Sequence, residues 1–256
     1  MSNTLELFHD SKWPEADVLE KMIALESLVT NICQDLGCKR ENPIQFLDLE
    51  PPTYSLYRFD SEEIVLPRSE LDRPDSNYDL AYFAIHETRH HIQKWKTIYH
   101  REDEKKTVEL WYKNMNTYIN QDELRVHYRF QPVERDAYDF ADQKFVQLFN
   151  SLEKELGPCK GLQNYIEKIQ HRNKTYHIMA EQQLGKNYLQ KIDRTIEDLY
   201  QAKIHLLHQS KKAEQIIKKY DKVAFERIKQ DFQALREAFQ DRESLSSHQL
   251  NEDLER

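Results

Sequence analysis

The first long pattern along the chain runs from 14 to 37, where Val18, Met22, Leu25, Val29, Ile32 and Leu36 recur at helical spacing and Gly37 marks a stop. Three short strand-like runs follow, at 44–49, 54–59 and 63–67. Pro51 and Pro52 separate the first two, and Asp60-Ser61 reads as the turn between the last two. The span 75–96 then reads as one helix, with Asp75 or Ser76 suited to its N-cap. A polar, aromatic-rich insertion occupies 101–130 and is expected to be helical over 107–118. Gln131-Pro132 opens another helix, with Pro132 suited to its first turn, and this helix passes Phe140, Phe145, Leu148 and Leu152 to a stop at Gly157.

Beyond 160 the pattern is long and helical. Ile192, Ile196, Leu199 and Leu206 form one apolar stripe, and Phe225, Ile228, Phe232, Leu235 and Phe239 form a second, the seam of a helical hairpin or coiled coil. The residues from 244 onward are polar and predict a disordered tail. The reading is an α+β, mainly helical protein in three parts: a domain holding the three short strands at 1–158, a helical appendage at 159–243 and a tail at 244–256.

Composition narrows the classes. With 256 residues, 39% hydrophobic and 32% charged, the chain can bury a sizeable core. Only 4 Gly and 8 Pro occur, so helix should dominate. The formal charge of -8 is uneven, because 160–240 holds roughly 16 Lys/Arg against roughly 10 Asp/Glu and the remainder is acidic. An acidic N-terminal part argues against a nucleic-acid substrate, and the basic run Lys211, Lys212, Lys218, Lys219, Lys222 reads as a solvated helix face. Three cysteines, Cys33, Cys38 and Cys159, make no disulfide framework. Cys33 and Cys38 could form a redox pair, but two helix-end cysteines without function is the simpler reading. No window approaches the ~18 to 20 apolar residues of a membrane span. MSNTLELFHDSK lacks the basic-then-apolar pattern of a signal peptide, so a cytoplasmic protein is expected.

The chemistry lies in Ile85-His86-Glu87-Thr88-Arg89-His90, which contains H-E-x-x-H. Residues four apart on a helix share a face, so the two imidazoles can converge on one zinc ion. Glu87 then stands where it can take a proton from a metal-activated water as general base. His91 is rotated by about 100° from His90 and is not expected as a ligand. A later helix carries Glu134-Arg135-Asp136-Ala137-Tyr138-Asp139-Phe140-Ala141. Glu134, Ala137, Tyr138 and Ala141 share a face, and the alanines permit close approach to another helix. Asp136 points to nearly the opposite side.

These two motifs resemble the gluzincin group of zinc metallopeptidases over roughly residues 40 to 150. The span HETRHHIQ is similar to that of small uncharacterised bacterial and phage-borne zincins. The resemblance implies His86 and His90 as zinc ligands, Glu134 as the third and Glu87 as the base of a metalloendopeptidase acting on a protein or peptide. Asp136, His100 and His127 are the fallback third ligands. Several relatives carry an aspartate four residues after the ligand glutamate, which steadies a histidine; that position here is Tyr138. The strands resemble the small zincin sheet, whose edge strand, read as 63–67, could hold an extended peptide by strand addition. Tyr138, His127 and Asp136 are candidates for oxyanion stabilisation or support of the ligands, and Tyr128 could also reach over. The rival readings are a zincin scaffold that binds a partner, or itself, through helices at 187–240, and a metal-free helical interaction protein.

Overall fold

The computed structural model describes residues 4–49, 55–99, 105–119 and 124–220, with side chains described to 205 and at 211. Within them the protein is mainly helical, with seven α-helices and one three-stranded mixed sheet: α1 (Val18–Asp35), β1 (Gln45–Leu47), β2 (Leu56–Arg58), β3 (Glu63–Pro67), α2 (Asn77–Tyr99), α3 (Lys105–Met115), α4 (Arg125–Phe130), α5 (Pro132–Leu156), α6 (Leu162–Leu184) and α7 (Tyr188–Tyr220). The second apolar stripe expected at 225–239, the tail and His100 lie outside the described residues. No helix among the described residues is long and apolar enough to cross a membrane.

Helix α1 begins at a reciprocal capping box. The Asp17 side chain accepts from Glu20 N–H at 2.8 Å, and Glu20 accepts from Asp17 N–H at 2.9 Å. It ends at Gly37, whose φ of 66° closes the turn with Gly37 N–H to Gln34 O (3.1 Å) and Cys38 N–H to Cys33 O (2.9 Å). Ser76 stands at the N-cap of α2, with its carbonyl accepting from Leu80 N–H at 2.9 Å. Its hydroxyl does not cap the helix; it donates back to Glu70 O at 2.5 Å.

The sheet order is β1-β3-β2, with β1 parallel and β2 antiparallel to β3. This corrects the expectation that 63–67 is the edge. Ile64, Val65 and Leu66 are fully buried, as befits a strand with neighbours on both sides whose backbone groups are already paired. The edges are β1 and β2.

Helix α2 lies at the centre, against α1, β3, α3 and α5, and its most extensive contact is with α5. Ala81 and Ala84 of α2 and Ala137 and Ala141 of α5 are all fully buried. Missing side-chain bulk at such positions lets two helix axes approach. Farther along, Phe145 packs its ring against Tyr78, Tyr82, Phe149 and Tyr165, tying α2, α5 and α6 together. Leu162 and Ile169 of α6 share the large core with α1 and α2, while Ala180, Tyr188 and Ile192 form a smaller cluster with Val126 and Phe130. Of the first C-terminal stripe, Ile192 and Ile196 are buried and Leu199 is exposed.

Candidate metal centre

His86 and His90 lie one turn apart on α2, and their Nε2 atoms are 3.2 Å from each other. Glu134, in the first turn of α5, places Oε1 3.3 Å from His90 Nε2 and Oε2 3.5 Å from His86 Nε2. All three side chains are buried. Two imidazole lone pairs cannot face each other at this distance without a proton or a cation between them. Burial opposes a charge on His90, but the Glu134 carboxylate overrides it and raises His90 to about 9. Burial likewise opposes ionisation of Glu134, yet His90 and His86 hold it well below the usual carboxylate range.

The donor set could hold a metal ion: two imidazole nitrogens and a carboxylate within 4.8 Å of one another. Glu134 Oε2 is buried and accepts no hydrogen bond, so it has a lone pair to give. His90 is also fixed in the required tautomer. The Gln93 amide donates through Nε2 to Val133 O (2.9 Å) and Asp136 Oδ2 (2.6 Å), so its Oε1 must face His90. That oxygen accepts from His90 Nδ1–H at 3.0 Å, which leaves the Nε2 lone pair of neutral imidazole pointing into the cluster. Asp136 is held in turn by Arg89, through Nε at 2.7 Å and Nη2 at 3.0 Å. Asp136 therefore acts through Gln93 and stands outside the ligand set.

His86 is held differently. The Tyr138 ring packs on its imidazole, with centroids 4.4 Å apart, and Arg129 lies over the other part of that contact with its guanidinium carbon 3.9 Å from the Tyr138 centroid. An aromatic ring supplies no acceptor, and His86 Nδ1 is buried without a hydrogen-bond partner. The tyrosine at this position thus steadies the histidine by packing alone. Burial, aided by Glu134, pushes the Tyr138 phenol up to about 12, so it stays protonated at neutral pH.

Glu87 is buried and its Oε1 accepts from the Ser55 hydroxyl at 2.7 Å, just ahead of β2. Tyr118 donates to Glu134 Oε1 at 2.5 Å. Its loop is pinned by the fully buried Gln131, which accepts from Ile119 N–H and donates to Ile119 O, both at 3.0 Å. Asn114 Oδ1 accepts from Val133 N–H at 3.0 Å and so caps α5 from outside the helix. The insertion therefore buttresses the turn that carries Glu134. His127 is half-buried on α4, and among the described residues none of the hydrogen bonds around the cluster involves it. Tyr128 lies nearer, edge-on to Tyr118 with centroids 6.0 Å apart. His91 turns away from the cluster and donates from Nε2 to Lys39 O at 2.8 Å.

The roles of Ser55, Gln93, Asn114 and Tyr118 were not anticipated. Gln93 could have been, since it sits three residues after His90 on the same helix and i,i+3 side chains are neighbours. The others meet the site only through long-range folding. Comparison with protein-family models, curated proteins and solved structures found no match for this chain.

Proposed function

We propose that this protein is a zinc-dependent hydrolase, a metalloendopeptidase built on a zincin-like scaffold. The observation that carries the reading is the buried triad of His86 Nε2, His90 Nε2 and Glu134 carboxylate, contributed by two packed helices. His86, His90 and Glu134 would hold a zinc ion, which would supply Lewis acidity toward a carbonyl and lower the pKa of water toward ~7. Glu87 takes the proton of the attacking water and returns it to the leaving amine. The Ser55 hydroxyl fixes one Glu87 oxygen and leaves the other for that exchange.

Tyr138 is the best placed of the oxyanion candidates, because its ring touches a ligand residue and its phenol retains a proton to donate. An extended peptide would pair with β2, the edge strand next to Ser55, rather than with β3. The zinc, the peptide substrate and the roles of these residues are tested together by Glu87→Gln, measured against a broad peptide library. The variant should keep its zinc and lose hydrolysis. Zinc-loaded wild type that cleaves no peptide would instead favour a scaffold that binds a partner through α7, where Leu189 and Leu199 are exposed.

A further inference from the structure

About 100° round α2 from His90, the ligand atoms of Cys33, Cys38 and His91 lie within 4.8 Å of one another, and all three residues are buried. The geometry follows from the end of α1. Gly37 in the left-handed region reverses the chain, and the bond from Cys38 N–H to Cys33 O brings residue 38 back over residue 33. Two cysteines five apart thereby face each other. His91 reaches them because it is rotated by about 100° from His90 on α2. Its Nε2–H is spent on Lys39 O at 2.8 Å, so Nδ1 carries the lone pair; the Tyr57 hydroxyl donates to it at 3.3 Å, a long hydrogen bond that a metal ion would replace.

We propose that Cys33, Cys38 and His91 form a second metal site, taking a thiophilic divalent cation of the zinc class in a structural role. Two thiols and an imidazole are soft and borderline donors, which select zinc or cadmium over magnesium or calcium. Binding releases both thiol protons to solvent, so a divalent cation on two thiolates adds no net charge to the buried site. A cavity of about 440 Å³ lined by Cys33 and Cys38, though not by His91, opens the two thiols to a cation from outside. Of the carboxylates that line this cavity, Glu26 is already engaged by Arg40 and by Ile44 N–H. The bound ion would clamp the end of α1 and the segment after it to the helix that carries His86 and His90.

Reduced, chelator-stripped full-length protein titrated with cadmium tests this. The triad contains no sulfur, so thiolate-to-cadmium charge-transfer absorption is independent of the proposed hydrolytic centre, and a Cys159→Ser background removes the third thiol. Wild type should show the band saturating at one cadmium per chain, His86→Ala should retain it, and Cys33→Ser/Cys38→Ser should lose it with an unchanged circular dichroism spectrum. No band in wild type, or a band surviving in the double variant, overturns the proposal. A second measurement needs no variant. Alkylation of Cys33 and Cys38, mapped by mass spectrometry, should slow about tenfold at a zinc concentration ten times the Kd; an unchanged rate overturns the proposal as well.

Discussion

Gln93 joins the two helices of the triad, and replacing it with leucine removes that link while preserving bulk. The side chain is fully buried and makes three hydrogen bonds, to His90 Nδ1, Val133 O and Asp136 Oδ2. Asp136 keeps Arg89 and Val133 O keeps its bond within α5, so Gln93→Leu strands one group, His90 Nδ1–H. A buried group left without a partner costs about 1–3 kcal/mol, and a metal-free Gln93→Leu should lose about that much stability. The His90 ring also loses the contact that selects its tautomer. Loss of such an outer partner typically weakens metal binding about 10- to 100-fold, or about 1.4–2.7 kcal/mol. The assay is competition for zinc against a chromophoric chelator, in a Cys33→Ser/Cys38→Ser background so that only the triad is counted, with urea unfolding run in parallel. A folded Gln93→Leu protein that binds zinc as tightly as its parent would refute the role of the Gln93 contact and the tautomer argument with it.

Other outcomes follow from the same geometry. Glu87→Gln should lower kcat by about 10²- to 10⁴-fold, the range for a positioned general base, while zinc content measured by elemental analysis stays unchanged. In the metal-free protein His90 is raised from its ordinary 6.5 to about 9. Its stabilising contribution is therefore complete below about pH 6.5 and fades as pH rises through about 9, so urea midpoints of apo-protein should fall over that window, and zinc affinity should rise as the competing proton leaves. A midpoint flat from pH 6.5 to 9.5 would remove the His90–Glu134 ion pair from the account. Asn114→Ala uncaps Val133 N–H and removes one of the two donors to the Gln131 amide oxygen, which keeps Ile119 N–H, for a loss of about 1–2 kcal/mol read by urea unfolding. Phe145→Ala should cost about 3–5 kcal/mol by the same measurement, since the ring is fully buried among four other aromatics.

Much of the site was legible before the structure. The i,i+4 spacing of His86 and His90 fixes their common face, and the small residues Ala137 and Ala141 on the face of Glu134 mark where α5 approaches α2. Strand positions were legible from Pro51-Pro52 and Asp60-Ser61, but strand order was not. Ile64, Val65 and Leu66 form a short apolar run, and such a run suits a strand buried on both sides; a single sequence does not say which neighbours flank it. The parallel β1–β3 pair depends on where the chain between β1 and β2 returns, which no local pattern encodes. Polar contacts between distant segments were also out of reach. Ser55 meets Glu87 across 32 positions and Tyr118 meets Glu134 across 16, and neither residue type announces its partner. The departure at Tyr138 was visible, but its consequence was not. Only the coordinates show a ring packed on His86 and a ring nitrogen left without an acceptor.

The most direct test of the central claim is anomalous diffraction at the zinc edge from crystals of the zinc-loaded full-length protein. A peak is expected about 2.0–2.2 Å from His86 Nε2, His90 Nε2 and a Glu134 oxygen. Crystals that hold zinc elsewhere but show no peak among these three atoms would contradict it.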